Sequence, residues 1–422
     1  MNKAARRIVR TYVSLTLLST FASSFIWGIN TLFLLDAGLT ITQAFSANAF
    51  FTAGQVLFEI PTGVVADTRG RRTSFLLGTA TLFAATIAYL WLWQIKGPFW
   101  AWALVSALLG LGFTFFSGAT EAWLVDSLKD TGFKGELDGV FAKGSIAAGI
   151  AMLTGTVSGG LVAQLTSLGV PYIMRIVALG ITFLIALFLM HDEGFAPKKR
   201  SSILNDVRDV VSASVDFGLG NAPIRWMMIS SIFSGGVAIY AFYAMQPYLL
   251  ELYGEPGNYT IAGAAAAIVA GAQIVGGLLV PYANRLFKRR TSILIAGMLV
   301  SVAMLILIGL TASFWVVLSL LAVWAIVFAW LNPVRQAFIN GIVPSEQRAT
   351  VLSADNLMNS GGGAISQPAL GKIAEVWGYP ASYLGSAIFQ FFAIPLLVQA
   401  RRERAKSDPI RNNDPPKKSV SR

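Results

Sequence analysis

The sequence predicts an all-α membrane protein whose twelve transmembrane helices form two pseudo-symmetric six-helix bundles. Three observations predict it: composition, the spacing of apolar runs, and the distribution of basic residues. Apolar residues make up 55% of the 422-residue chain and charged residues 13%, with a mean hydropathy of +0.64. A soluble domain carries about 25% charged residues. Twelve apolar runs reach the ~20 residues needed to cross a bilayer core, and with no water at that depth the backbone must close its own hydrogen bonds as helix.

In chain order the expected spans are roughly 11–35, 42–66, 73–95, 99–128, 138–165 and 171–190 in the first half. Those of the second are 223–250, 259–283, 291–311, 314–337, 346–376 and 380–400. If both termini lie inside, only Lys96, Arg175 and Lys372 fall outside, leaving 29 of 32 basic residues on the inner face. That is a strong positive-inside asymmetry, and one missed span would invert every later segment and destroy it. The expected location is therefore a cell membrane, plasma or inner, with both termini cytoplasmic. The net charge of +11 follows from this bias and from attraction to anionic lipid headgroups. Nucleic acid is not an expected partner.

Between the halves, residues 191–222 read as a linker. Ile203, Leu204, Val207, Val210, Val211 and Val215 recur at helical spacing opposite Asn205, Asp206, Arg208 and Asp209, the pattern of an amphipathic helix on the membrane surface. The bundles are bounded at 1–190 and 223–400, and residues 401–422 read as a basic disordered tail. RRTSFLLG from Arg71 is echoed by RRTSILIAG from Arg289, each opening the third helix of its half. A second echo sets Gly155-Thr156-Val157-Ser158-Gly159 in span 5 against Gln367-Pro368-Ala369-Leu370-Gly371 in span 11. Repeats of this kind build many transporter folds.

The most informative segment is GVVADTRGRR, from Gly63 to Arg72. It sets Asp67, Arg69, Gly70, Arg71 and Arg72 into the short connection between spans 2 and 3. Topology explains basic residues there but neither the acid nor the glycines. The segment resembles the signature loop of the major facilitator superfamily, and the resemblance implies a latch between the two halves. Asp67 would then sit near the start of span 11, where a helix N-terminus favours an anion, and Asp126 would hold Arg71 or Arg72. Gly155-Thr156-Val157-Ser158-Gly159-Gly160 is similar to the G-P-x-x-G-G motif of that family's drug/proton antiporters, with Thr156 in the place of proline. Small residues at this spacing equally serve close helix packing.

Glu121 in span 4 lies ~7.5 Å deeper than Asp126, and Glu59 in span 2 ~12 Å deeper than Asp67, at 1.5 Å per residue. Intramembrane acids mark functional sites by default, which makes both glutamates proton-coupling candidates. The alternative is that they are fixed partners of the loop arginines. The family resemblance places the central cavity against the first and fourth helices of each half. Its candidates are Trp27, Asn30, Phe115 and Phe116 from the first half, and Tyr240, Tyr243, Gln246, Trp324, Trp330 and Asn332 from the second. Aromatic faces beside a buried acid favour a lipophilic, cationic-compatible substrate. Arg335 reads either as a partner for an anionic substrate or as a positive-inside residue.

The expectation is a secondary transporter working by alternating access, exporting small lipophilic compounds in exchange for protons, as a monomer among membrane lipids. Uptake of a nutrient or metabolite is the alternative within transport, and a non-transporting membrane sensor or scaffold the alternative outside it. No phosphate-binding glycine loop supports ATP-driven pumping. No cofactor or metal is expected: there is no cysteine, and the single histidine, His191, falls at the inner end of span 6. An enzyme is not expected.

Overall fold

The computed structural model describes residues 3–116, 118–133, 135–192, 194–195, 212, 214–344 and 347–410. The expected amphipathic helix lies almost entirely outside them. The described chain is helical nearly throughout. Among the described residues, ten helices are long and apolar enough to cross a bilayer, eleven when the bent first pair counts as one span. The run Thr350–Arg402 contains two spans, because it is divided at Gly378.

Span 1 is Lys3–Trp27 followed by Asn30–Asp36, bent by 49° between them. Spans 2 and 3 are Ile41–Arg69 and Arg71–Ile95. Span 4 is interrupted, running Phe99–Thr114 and then Ala119–Asp130. Spans 5 and 6 are Asp138–Leu165 and Val170–Leu189. A π-helical turn, Ser214–Leu219, leads into span 7, Ala222–Tyr253. Spans 8, 9 and 10 are Tyr259–Leu286, Arg290–Leu310 and Phe314–Asn340. Helix Arg348–Phe391 holds span 11 and the start of span 12, which ends through Ala393–Arg402. Gly378, at φ 83 and ψ 165, separates them, a conformation open to glycine because it has no Cβ.

The cores show how the halves meet. At the end bearing Gly70, here the basic end, one cluster draws only on the first half, from Ala5 to Met190. Its counterpart draws only on the second, from Ile224 to Ala400. At the opposite end the cores mix: Phe45 of span 2 lies in the second half's core, and Leu250 and Ala262 lie in the first half's. Spans 2 and 11 pack across the halves, as do spans 5 and 8.

The repeated RRTS segments share one device that sequence reasoning missed. In the first half, the amide of Arg72 donates to Asp192 Oδ1 at 2.9 Å. In the second, the amide of Thr291 donates to Asp408 Oδ1 at 2.9 Å. Each aspartate follows the sixth helix of its half and satisfies a free N–H at the start of the third. The tail is therefore ordered through Ile410 rather than disordered from residue 401. Ser407 donates to Phe338 O at 2.7 Å, and Asp408 is buried.

Candidate functional site

Span 2 stays helical to Arg69, so the charged connection narrows to a single residue, Gly70, at φ 103. A side chain there would collide with the Asp192 carboxylate. The chain turns sharply at Gly70, and across this turn Asp67 at the end of span 2 forms an ion pair at 2.7 Å with Arg71 at the start of span 3. Arg72 donates to Leu187 O at 2.7 Å. Asp126, expected to hold Arg71 or Arg72, makes no ion pair with either among the described residues; its carbonyl faces Gly194 instead. Arg69 and Gly63 are exposed.

At the opposite end the halves are tied by hydrogen bonds. Gln246 Oε1 accepts from the Thr31 amide at 2.9 Å, and its Nε2 donates to Trp27 O at 2.7 Å. Thr31 Oγ1 donates to Tyr243 O at 3.0 Å. The Thr42 amide, in the first turn of span 2, donates to Glu375 Oε2 at 2.8 Å, and Lys372 pairs with Glu375 at 2.9 Å. The Tyr259 amide donates to Gln164 Oε1 at 2.7 Å. The glycine motif of span 5 works in both directions. A Cβ at Gly159 would run into Phe25 O of span 1, and one at Gly160 would lie 2.8 Å from Gly263 Cα of span 8. The motif lets three helices meet at backbone distance.

Between the halves lies a cavity of about 470 Å³. Its aromatic wall is Trp27, Phe51, Phe242, Tyr243, Trp324 and Phe328; its polar wall includes Thr52, Gln55, Thr156, Gln273, Asn332, Asn356 and Asn359. Among the described residues, no charged one lines it. Of the expected cavity residues, Trp27, Tyr243, Trp324 and Asn332 are present. Others point elsewhere. Asn30 is buried and engaged by Asn48 at 2.9 Å and by Tyr172 at 3.0 Å. Tyr240 is fully buried against Phe45. Phe115 packs on Gly78. Phe116 lines the pocket of Glu121 rather than the central cavity. Gln246 belongs to the closure of the opposite end, and Trp330 does not line the cavity. The carboxamides Gln55, Gln273, Asn356 and Asn359 were missed, although polar amides inside apolar spans were a visible signal.

Glu59 lines a second pocket of about 370 Å³, with Ser353, Asn356 and Ser360 of span 11. Gln55 and Asn356 border both this pocket and the central cavity, so the two adjoin. Glu121 is exposed in a third pocket, about 230 Å³, among Thr16, Ser19, Thr20, Ser23 and Thr120, which meets the central cavity at Trp27. The two glutamates thus occupy separate pockets that share Phe113 as a wall.

Arg335 is neither a surface residue nor open to a substrate. It is buried and forms a fork with Asp355 of span 11: Nε to Oδ2 at 2.7 Å and a terminal nitrogen to Oδ1 at 2.6 Å. It also donates to Ser230 Oγ at 3.3 Å and to Met227 O, both on span 7.

Two helical bundles enclosing a central cavity, shut at one end by bonds between the halves, define a multi-pass membrane transporter rather than an enzyme. The chain belongs to the Major Facilitator Superfamily, whose model matches residues 12–285 and 257–421. No curated protein matches the sequence. Among solved structures it is similar to a mutant form of the nucleoside transporter NupG, with a TM-score of 0.76 at 14% identity over 92% of this chain and 99% of that one. It is also similar to a D-xylose–proton symporter, TM-score 0.68 at 15% identity, covering 94% and 99%. A bacterial homologue of the human lysosomal transporter Spinster, inward-facing and occupied, gives 0.70 at 15% identity, covering 97% and 99%. These likenesses show the fold.

Proposed function

We propose that this secondary transporter exports small lipophilic compounds in exchange for protons, by alternating access between the halves 1–190 and 223–400. The observation that carries this reading is the aromatic central cavity, adjoined by a pocket that holds Glu59 between spans 2 and 11. The cavity's uncharged lining favours a lipophilic rather than a cationic compound. The basic end faces the cytoplasm on the charge distribution, so the bonds at the opposite end make this an inward-facing state. Asp67 and its ion pair with Arg71 lie at that basic end. Glu59 and Glu121 carry the proton, each reaching the central cavity through its own pocket. The chain works as a monomer in a plasma or inner membrane, since the whole cavity is built within one chain.

The test is flux of a lipophilic probe in proteoliposomes under an imposed pH gradient, comparing the native protein with Glu59→Gln and Glu121→Gln. Unchanged proton-driven flux in both variants would sink the carrier assignment. A second reading, uptake of a polar metabolite, draws on the amide-rich wall of Gln55, Gln273, Asn332, Asn356 and Asn359. Saturable uptake of a hydrophilic compound, with no movement of the lipophilic probe, would favour it.

A further inference from the structure

Among the described residues, two arginines are buried within the bundles, and their surroundings differ. Arg335 has Asp355 as a built-in counter-ion. Arg175 of span 6 falls at the outer boundary on sequence grounds, yet is only 2% exposed, inside the first half. Its Nε donates to Thr86 Oγ1 at 3.2 Å, and its guanidinium carbon lies 5.9 Å from the centre of the Phe113 ring. Its electrostatic neighbours are the phenols of Tyr172, Tyr243 and Tyr89. Among the described residues no carboxylate lies within ion-pairing distance of it. An arginine has five N–H donors, and the hydrogen bond to Thr86 uses one.

A buried cation is costly unless it is paired and hydrogen-bonded. The phenols do not supply a negative charge, and two are committed elsewhere: Tyr172 donates to Asn30 Oδ1, and Tyr89 shares a hydrogen bond with Ser106. The third, Tyr243, comes from the other half and lines the central cavity. Arg175 also adjoins the Glu121 pocket, since Phe113 and Leu179, one helical turn away, line it. The guanidinium thus packs beside Phe113, a wall of the Glu121 pocket, and has among its electrostatic neighbours Tyr243, which lines the uncharged central cavity.

We propose that Arg175 recognises the anionic group of the transported compound, so that the substrate is a small lipophilic carboxylate. Its apolar body stacks among Trp27, Phe242, Trp324 and Phe328, while its carboxylate takes two parallel N–H bonds from the guanidinium fork beside Tyr243. This assignment rests on the transporter reading and narrows its substrate class.

The test uses the full chain in detergent, with binding read from tryptophan fluorescence, because Trp27 and Trp324 line the cavity. Three probes of similar shape are compared: 1-naphthoate, 1-naphthalenesulfonate and the neutral 1-naphthamide. The native protein is expected to prefer naphthoate to naphthamide by about tenfold or more, as a charge-assisted fork requires. Arg175→Gln abolishes that preference and leaves naphthamide binding unchanged; Arg175→Lys, charged but without the fork, restores part of it. Equal binding of naphthoate and naphthamide by the native protein would overturn the assignment, as would an intact preference in Arg175→Gln. Sulfonate bound as tightly as carboxylate would overturn the stated class. If Arg175→Gln does not fold, Arg175→Lys decides alone: an undiminished preference counts against the fork. Naphthoate binding without counterflow in liposomes would fault the transporter reading only, and transport of naphthoate undiminished in Arg175→Gln would fault this assignment only.

Discussion

Gln246 mends the break in span 1. Its carboxamide accepts from Thr31 N and donates to Trp27 O, the two backbone groups flanking the bend between Trp27 and Asn30. One side chain from the second half thus replaces hydrogen bonds that the first half's bend gives up. Gln246→Leu removes both. The expected result is a cost of ~1–3 kcal/mol, the penalty for leaving buried polar groups unmade, together with a shift toward the state open at that end. The native chain has no cysteine, so a cysteine placed at the buried Ala262 reports the shift directly. Its labelling by a membrane-impermeant maleimide should rise in Gln246→Leu.

Glu375 should act in the same direction. Its carboxylate meets the Thr42 amide at the start of span 2, where the helix dipole favours an anion. Glu375→Gln keeps the shape and removes the charge, weakening the tie by ~0.3–1 kcal/mol. Labelling at the Ala262→Cys position should again increase, though less than for Gln246→Leu.

The Arg335–Asp355 pair gives a non-additive prediction. Removing one partner strands a buried charge and should cost ~3–5 kcal/mol. Replacing both with apolar residues, as in Arg335→Met with Asp355→Leu, should cost much less than the sum. Thermal unfolding of the detergent-solubilised protein measures all three variants. Additive losses would show that the pair is not acting as one unit.

Asp192 and Asp408 should behave as equivalent caps. Asp408→Ala and Asp192→Ala are each expected to destabilise by ~0.5–2 kcal/mol. Truncation after Arg402 should cost more than Asp408→Ala, since it removes that cap together with the Ser407 bond to Phe338 and the backbone bonds to Lys288 and Arg290. A truncated chain as stable as the native one would refute the capping role of the tail.

The span pattern was legible because hydropathy and basic-residue placement act over ~20 residues and tolerate errors of one or two positions. Side-chain direction does not. Tyr240 and Tyr243 are both aromatic and lie one helical turn apart, yet one is sealed against Phe45 and the other lines the cavity. Residue type cannot set that phase. Asp126 was expected to hold Arg71 or Arg72 because it falls at the inner boundary of span 4; the sharp turn at Gly70 instead brings Asp67 of the preceding helix onto Arg71. Asp192 and Asp408 were illegible for a different reason: each lies far along the chain from the helix it caps, 120 and 117 residues away.

The exchanged core residues set a condition on the transport cycle. Opening the end opposite Gly70 must withdraw Phe45 from one core and Leu250 with Ala262 from the other. These apolar side chains would then meet water or lipid, and both cores would be left underfilled. Closure at the basic end must offset this by burying comparable area between spans 2 and 11, where Glu59 and Asn356 now border open space. The motion is then an exchange of buried surface between the two ends.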